Sequence, residues 1–407
     1  MNATPETSPR TLRFGIAGLG QAFASTLPEI LAHPYIKIVA GADLRREARE
    51  KFLADFGGPV YEDVGKLCSN PEIDAVYVAT PHQFHARHSL LALECGKHVL
   101  LEKPMALGIE DCDAMIRSAD KRGLKLLVGR GSHGFDLPVL KMREIIRGGE
   151  LGRLGMIHSW LYSDFLYRPR TPEELDTSLG GGVIFNQGPH QIDTIRVLGG
   201  GLIRNVRATT GIWDPTRRSE GSVVAFFEFA DGVPATMVYS GYDHFDTDEL
   251  FQWIGPYGLP KDPNHHGRAR RTLRETAPTP EQETALKASY GYGGTHKRER
   301  HTPQPTPTPH QNHWGLMIVS CQKGDMRQSP EGIVIYGDEG KREIPMPRDP
   351  GSDRSVIAEF YEAVVQDRPT FRDGRWEKAT LEVCLAILQS ARERREVQLI
   401  HQVGLHE

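Results

Sequence analysis

At 407 residues the chain exceeds the usual single-domain size of roughly 100 to 200 residues, so two packed domains are expected. With 39% hydrophobic and 25% charged residues, 42 Gly and 28 Pro, its composition is that of a globular protein and excludes a collagen-like, coiled-coil or disordered chain. A net charge of −4 withholds the positive field that nucleic-acid or membrane-surface binding needs, which leaves a small molecule as the expected partner.

In chain order, Leu12–Ala17, Ile36–Ala42, 75–79, His98–Leu101 and 125–128 read as short strands rich in Val, Ile and Leu. Helix-period stretches such as Gln21–Ala32 and 84–95 separate them. The alternation predicts βαβ units and a doubly wound parallel sheet, an α/β nucleotide-binding domain over residues 1–135. After Leu151 the pattern changes. Strands at 156–165, 203–212, 223–229 and 235–240 follow one another, with helices at 190–198, 352–366 and 375–395. This predicts an α+β domain over 136–407, built on a large, mostly antiparallel open sheet. Residues 255–312 read as a long surface insertion of little periodicity, with Pro-x-Pro repeats and scattered histidines. No two of those histidines sit four apart on a predicted helix, so no metal site is expected.

The first predicted strand runs into Gly15-Ile-Ala-Gly18-Leu-Gly20-Gln21-Ala22-Phe23. Gly18 makes a tight turn, and Gly20 lets the backbone approach a pyrophosphate that the first amides of the next helix, at Gln21 and Ala22, would meet. Phe23 departs from the small residue usual at the third position of the fingerprint. Asp43 follows 23 residues after Gly20, at the end of the second strand, where a carboxylate accepts from the adenosine ribose hydroxyls. Arg45 and Arg46 come next and offset its repulsion of a 2′-phosphate, so NAD is expected and NADP remains open. The alternative role for Asp43 is to cap the following helix.

His98–Leu101 leads into Glu102, Lys103 and Pro104. Ligands of parallel sheets bind beyond the carboxyl ends of the strands, which puts Glu102 and Lys103 beside the cofactor. A partly buried lysine there can handle a proton, whereas an isolated strand-exit lysine would be an ordinary surface group. The later run from Gly180 through Asn186, Gln187 and Pro189 to His190 and Asp193 puts an imidazole at a helix start facing the same cleft. Lys103 and His190 together make a candidate acid/base pair.

These segments, with Asp74 to Pro81, resemble the glucose-fructose oxidoreductase/inositol dehydrogenase (Gfo/Idh/MocA) oxidoreductases over nearly the whole chain. The resemblance implies a Rossmann domain, an open-sheet domain, and a nicotinamide cofactor between them. It puts the family's catalytic lysine on Lys103 and its histidine on His190. Thr80, Pro81 and His85 match the segment that passes along the cofactor. Asn186 stands where many members carry an aspartate, and an amide can orient a ligand but cannot be a base. A homo-oligomer, dimer or tetramer, is also implied.

The segments around Arg130 and His133, and from Asp164 through Arg168 and Arg170, resemble more narrowly the 4,5-dihydroxyphthalate dehydrogenases of phthalate breakdown. Guanidinium forks bind adjacent carboxylates, so Arg130, Arg168 and Arg170 are candidate clamps for an anionic substrate, and His133, Asn186 and Gln187 candidate contacts to diol oxygens. The implied reaction is oxidation of a carboxylated cis-dihydrodiol to a catechol. A neutral polyol as substrate, or a non-catalytic dinucleotide sensor, are the competing readings. Five scattered cysteines without a C-x-x-C pair point to reduced thiols. With no secretory-type apolar stretch at the start and no run of 18 apolar residues, a cytoplasmic protein is expected.

Overall fold

The computed structural model describes residues 10–129, 133–295, 308–348 and 355–405. Six strands form the first sheet: β1 (Leu12–Ala17), β2 (Ile36–Ala42), β3 (Val60–Tyr61), β4 (Ala75–Val78), β5 (His98–Leu101) and β6 (Leu126–Val128). Their order is β3-β2-β1-β4-β5-β6, every pair parallel. The central strands are continuous apolar runs because helices cover both faces. These include α1 (Gln21–Ala32), α2 (Arg46–Phe56), α3 (Val64–Cys68), α4 (His85–Glu94) and α5 (Ile109–Arg122). The order reverses direction between β1 and β4, and the exits of β1, β4 and β5 therefore gather along one edge.

After α6 (Leu137–Gly148) a second sheet of nine strands begins with β7 (Leu154–Tyr162). It continues with β8 (Ile203–Gly211), β9 (Ser222–Phe229) and β10 (Pro234–Ser240). Four further hairpin-linked strands follow, β11 (Leu316–Cys321), β12 (Gly324–Ser329), β13 (Gly332–Gly337) and β14 (Gly340–Pro345), none of which the sequence reading names. With β15 (Val397–Gln398) the order is β14-β13-β12-β11-β7-β10-β9-β8-β15; only the β7/β10 pair is parallel. The predicted strand 156–165 stops at Tyr162, and Phe165–Tyr167 forms a buried single turn instead.

The inner face of this sheet is covered by α7 (Gly182–Asn186) and α8 (Gly188–Gly199), where Gln191 bonds Ser159 of β7 at 2.8 Å. Near the C-terminus, α11 (Val356–Gln366) packs on the first sheet rather than the second: the Phe360 ring meets Phe14 of β1 edge-on at 5.6 Å. The long α12 (Gly374–Glu393) lies against α5 on one side and α8 and β8 on the other, and so ties the two sheets together.

The insertion is more ordered than its composition predicts. It carries α9 (Arg268–Thr276) and α10 (Pro280–Ser289), and the chain beyond α10 reaches the first sheet's helices. There the Tyr292 ring packs on Phe23 of α1 at 5.1 Å and its hydroxyl donates to Asp55 of α2 at 2.5 Å. Among the described residues no helix is long and apolar enough to cross a membrane.

Candidate active site

At the exit of β1, Gly18 has φ +94°, and a Cβ there would lie 2.6 Å from the Ala79 oxygen, so only glycine fits between the β1 and β4 loops. A Cβ on Gly20 would meet nothing within 4 Å, and no side chain caps α1, so the turn before Gln21 and Ala22 is open to a ligand. That is the arrangement a dinucleotide pyrophosphate requires. Asp43 Oδ2 accepts from the Leu19 amide at 2.8 Å and Oδ1 from the Arg45 amide at 2.8 Å. The Arg45 guanidinium closes on the same carboxylate at 3.1 Å and on the Leu19 oxygen at 2.6 Å. Asp43 is thus not the cap of α2, whose N-cap is Arg45; it braces the glycine turn. Open turn, uncapped helix and strand-end carboxylate fit a nicotinamide dinucleotide.

Several groups expected along the cofactor instead shape its cleft. The His85 ring nitrogens lie 2.7 Å from the Pro104 oxygen and 2.8 Å from the Thr80 oxygen, joining the loops that leave β4 and β5. Burial, with Lys103 nearby, pushes this imidazole down to about 4, so it is neutral and fully buried rather than facing a ligand. The Thr80 hydroxyl bonds His88 at 3.0 Å. Pro81 precedes a short turn, His82–Phe84, from which His82 reaches the Gly180 oxygen at 2.8 Å. Glu102 accepts from the Tyr77 hydroxyl at 2.5 Å.

Lys103, whose peptide bond to Pro104 is cis, donates from Nζ to the Asn186 main-chain oxygen at 2.9 Å. Burial pushes its ammonium below the usual lysine value; Glu102 opposes this, while Arg170 and Arg168 reinforce it. His190 follows Pro189 in the first turn of α8, its ring 4.4 Å from that of Trp314. Lys103 and His190 line one small, partly open cavity with Gly129, Pro189, Asp193 and Glu377. Asp193, one turn past His190, accepts from the Trp376 indole at 2.5 Å. The glycine run makes this approach possible: Gly180 and Gly182 have φ +82° and +78°, and a Cβ on Gly180 would lie 2.6 Å from Leu107.

The expected substrate contacts are placed differently from one another. The Asn186 amide donates to the Gly180 and Gly182 oxygens at 3.3 and 3.1 Å, and Gln187 donates to the Asn186 oxygen at 3.2 Å, so both brace the turn under Lys103. Arg168 and Arg170 are not free forks. Arg168 pairs with Asp164 at 2.7 Å; Arg170 stacks 3.8 Å from the Phe165 ring, bonds the Phe165 oxygen at 3.0 Å and lies 3.5 Å from Glu174. Arg130 and the His133 side chain lie outside the described residues.

Sequence reasoning misses four groups that hold this site. Glu377 reaches it from α12, and Trp314 from the segment before β11. Glu283 of α10 forms a buried pair with Arg217 at 2.8 Å and accepts from the Arg170 amide at 2.8 Å; Lys287 pairs with Glu174 at 2.6 Å. The insertion therefore clamps the arginine segment. An open depression beside β3 and α3, lined by Tyr61, Asp63 and Lys66 among others, includes none of these groups.

The profile of the Gfo/Idh/MocA oxidoreductase family, NAD-binding Rossmann fold, matches residues 12–130, and that of the GFO/IDH/MocA C-terminal domain matches residues 139–258. The chain is 39% identical over 386 residues to the 1-carboxy-3-chloro-3,4-dihydroxycyclohexa-1,5-diene dehydrogenase of Comamonas testosteroni, covering 94% of this chain and 95% of that one. It is 32% identical over 258 residues to inositol 2-dehydrogenase 2 of Saccharopolyspora erythraea, covering 61% and 73%. A crystal structure from Bordetella bronchiseptica RB50 superposes with TM-score 0.85 at 43% identity, covering 96% and 100%. The WlbA dehydrogenase of Bordetella pertussis, solved with NADH and UDP-GlcNAcA, shares the fold at TM-score 0.69 and 20% identity, covering 97% and 99%.

Proposed function

The chain belongs to the Gfo/Idh/MocA family of NAD(P)-dependent oxidoreductases, and we propose that it oxidises a carboxylated cis-dihydrodiol to the corresponding catechol. The observation that carries the substrate class is that two guanidinium groups, Arg168 and Arg170, each also paired with a carboxylate, lie near enough to Lys103 to disfavour its charged form. Such a site favours an anionic alcohol over a neutral one. The similarity to a carboxy-dihydrodiol dehydrogenase supports the same class. Within it, the phthalate-type diacid is our first candidate and a monocarboxylate the second. The similarity to an inositol dehydrogenase favours a polyol as the competing reading.

Gly18, Gly20, the first amides of α1 and the Asp43/Arg45 pair would hold the dinucleotide, with NAD preferred. Bound there, the nicotinamide supplies the hydride acceptor. Lys103, an amine made less basic by burial, takes the proton from the reacting hydroxyl, with His190 beside it to orient that oxygen. The ring ketone so formed enolises to the catechol, and aromaticity makes the direction favourable. A second copy of the chain is proposed to cover the outer face of the second sheet. There Trp160 and Val224, in one cross-strand row with Val238, are 46% and 52% exposed, and Phe226 and Met156 are 41% exposed.

The test is reduced-nicotinamide absorbance with the phthalate-type diacid, a monocarboxylated dihydrodiol and myo-inositol, each with NAD⁺ and NADP⁺. Turnover of a carboxylated diol with NAD⁺ is expected; turnover of inositol alone would give the polyol reading precedence.

A further inference from the structure

The third position of the glycine fingerprint holds Phe23, where a small residue is usual, and its ring is fully buried. What meets it is the insertion: the Tyr292 ring lies 5.1 Å away, edge-on. The Tyr292 hydroxyl donates to Asp55 of α2, and Lys51 of α2 sits 5.6 Å over the same ring. The glycines on either side bring the main chain down onto the start of α2. A Cβ on Gly293, which has φ +79°, would lie 3.2 Å from the Glu47 oxygen and the Ala48 Cα, and one on Gly291 would lie 3.0 Å from Arg45 Nη1.

The other end of this segment is held by the second domain. In α10, Glu283 pairs with Arg217 and accepts from the Arg170 amide, and Lys287 pairs with Glu174. Residues 280–294 therefore form a strap, anchored beside the arginine segment, whose tip rests on Arg45.

Arg45 is the guanidinium on the carboxylate assigned to the adenosine ribose. Its Nε and Nη2 are taken by Asp43 and the Leu19 oxygen. Nη1, which those bonds do not use, is the nitrogen against Gly291. Arg46 and Arg49 turn instead to Glu50 and Glu62, at 2.7 and 2.6 Å. A 2′-phosphate beside Asp43 would meet a carboxylate, and to offset it Arg45 would have to turn outward from under the strap.

We propose that the strap is a specificity element for the dinucleotide: its tip, fixed by Tyr292, holds Arg45 closed on Asp43 and so denies NADP the cation its 2′-phosphate needs. Tyr292 acts through Arg45 and is a positioning residue. The inference deepens the reading of NAD as the preferred dinucleotide and rests on it.

Fluorescence titration with NADH and with NADPH, without substrate, gives the ratio of the two dissociation constants. Wild type should favour NADH. Tyr292→Ala should lower that preference by about 3- to 10-fold, the scale of one partly exposed charge-assisted hydrogen bond, chiefly through tighter NADPH binding. Tyr292→Leu, which keeps an apolar side chain on Phe23 in case the alanine variant does not fold, should move the ratio the same way. In an Arg45→Ala background the same changes at Tyr292 should leave the ratio where it is, an outcome that a general loosening of the fold would not produce. A wild-type preference kept by the Tyr292 variants, or shifted equally with and without Arg45, overturns the proposal while the reading of NAD stands. Wild type that binds NADPH as tightly as NADH fails that reading, and the proposal with it.

Discussion

Nζ of Lys103, at the exit of β5, donates to the main-chain oxygen of Asn186, at the end of α7, across 2.9 Å. This bond locks the lysine proposed to handle the proton, at the edge of one sheet, against the glycine turn of the other. The Asn186 amide in turn holds that turn through the Gly180 and Gly182 oxygens.

Asn186→Asp therefore should not simply restore the residue usual in the family. A carboxylate there would face two carbonyl oxygens with no proton to offer, and two buried acceptors would lose their donor. The expected cost is about 1 to 3 kcal/mol, read as a lowered urea midpoint. A variant as stable as wild type would show that the amide does not support the turn.

Arg168→Gln removes one of the two guanidinium charges near Lys103 and should raise KM for the carboxylated diol several-fold, and change KM for NAD⁺ little. An equal loss on an uncarboxylated diol would assign Arg168 to bracing Asp164 alone.

Glu174 sets part of the acid sensitivity. Burial alone would raise its carboxyl, but Lys287 and Arg170 hold it at about 2, below its ordinary 4.5. An acid depressed in the folded state contributes stability that is present above 4.5 and lost as the pH falls toward 2. Denaturant midpoints should thus fall less steeply across that window in Glu174→Gln than in wild type. Parallel slopes would mean that the carboxylate contributes nothing to acid unfolding.

Trp160→Glu puts a charge into the apolar row on the outer sheet face. Sedimentation should show a smaller species than wild type at equal concentration, with secondary structure kept. An unchanged assembly would place the interface elsewhere.

Five of the first sheet's six strands were legible because they are largely apolar runs and the motifs are local: the glycine turn lies within six residues, Gly15 to Gly20, and Glu102-Lys103-Pro104 follows its strand directly, whereas the two-residue β3 is too short to show a pattern. The two helices of the insertion were less so. In α9 the apolar positions are few, Ala269 and Leu273 one turn apart among charged residues, and their helical spacing was passed over. For α10 a signal existed and was passed over: Thr279, Pro280 and Gln282 form a capping box with Pro at the helix start. Glu283 comes from α10, and Asp193 and Glu377 come from separate helices, pairings that arise from packing and leave no spacing to read. Asp164 and Glu174, by contrast, stand four residues from Arg168 and Arg170, a spacing that was in the sequence and was passed over. Arg168 and Arg170 looked like free clamps for that reason.

The central claim is that Lys103 moves the proton when the bound alcohol is oxidised. It is tested most directly by single-turnover reduced-nicotinamide formation from a carboxylated cis-dihydrodiol in wild type and Lys103→Ala, with dinucleotide affinity measured in parallel by fluorescence. The account predicts a rate lower by about 10²- to 10⁴-fold in the variant, the usual contribution of a positioned acid/base group, with dinucleotide affinity kept. A variant that forms reduced nicotinamide at the wild-type rate would contradict it.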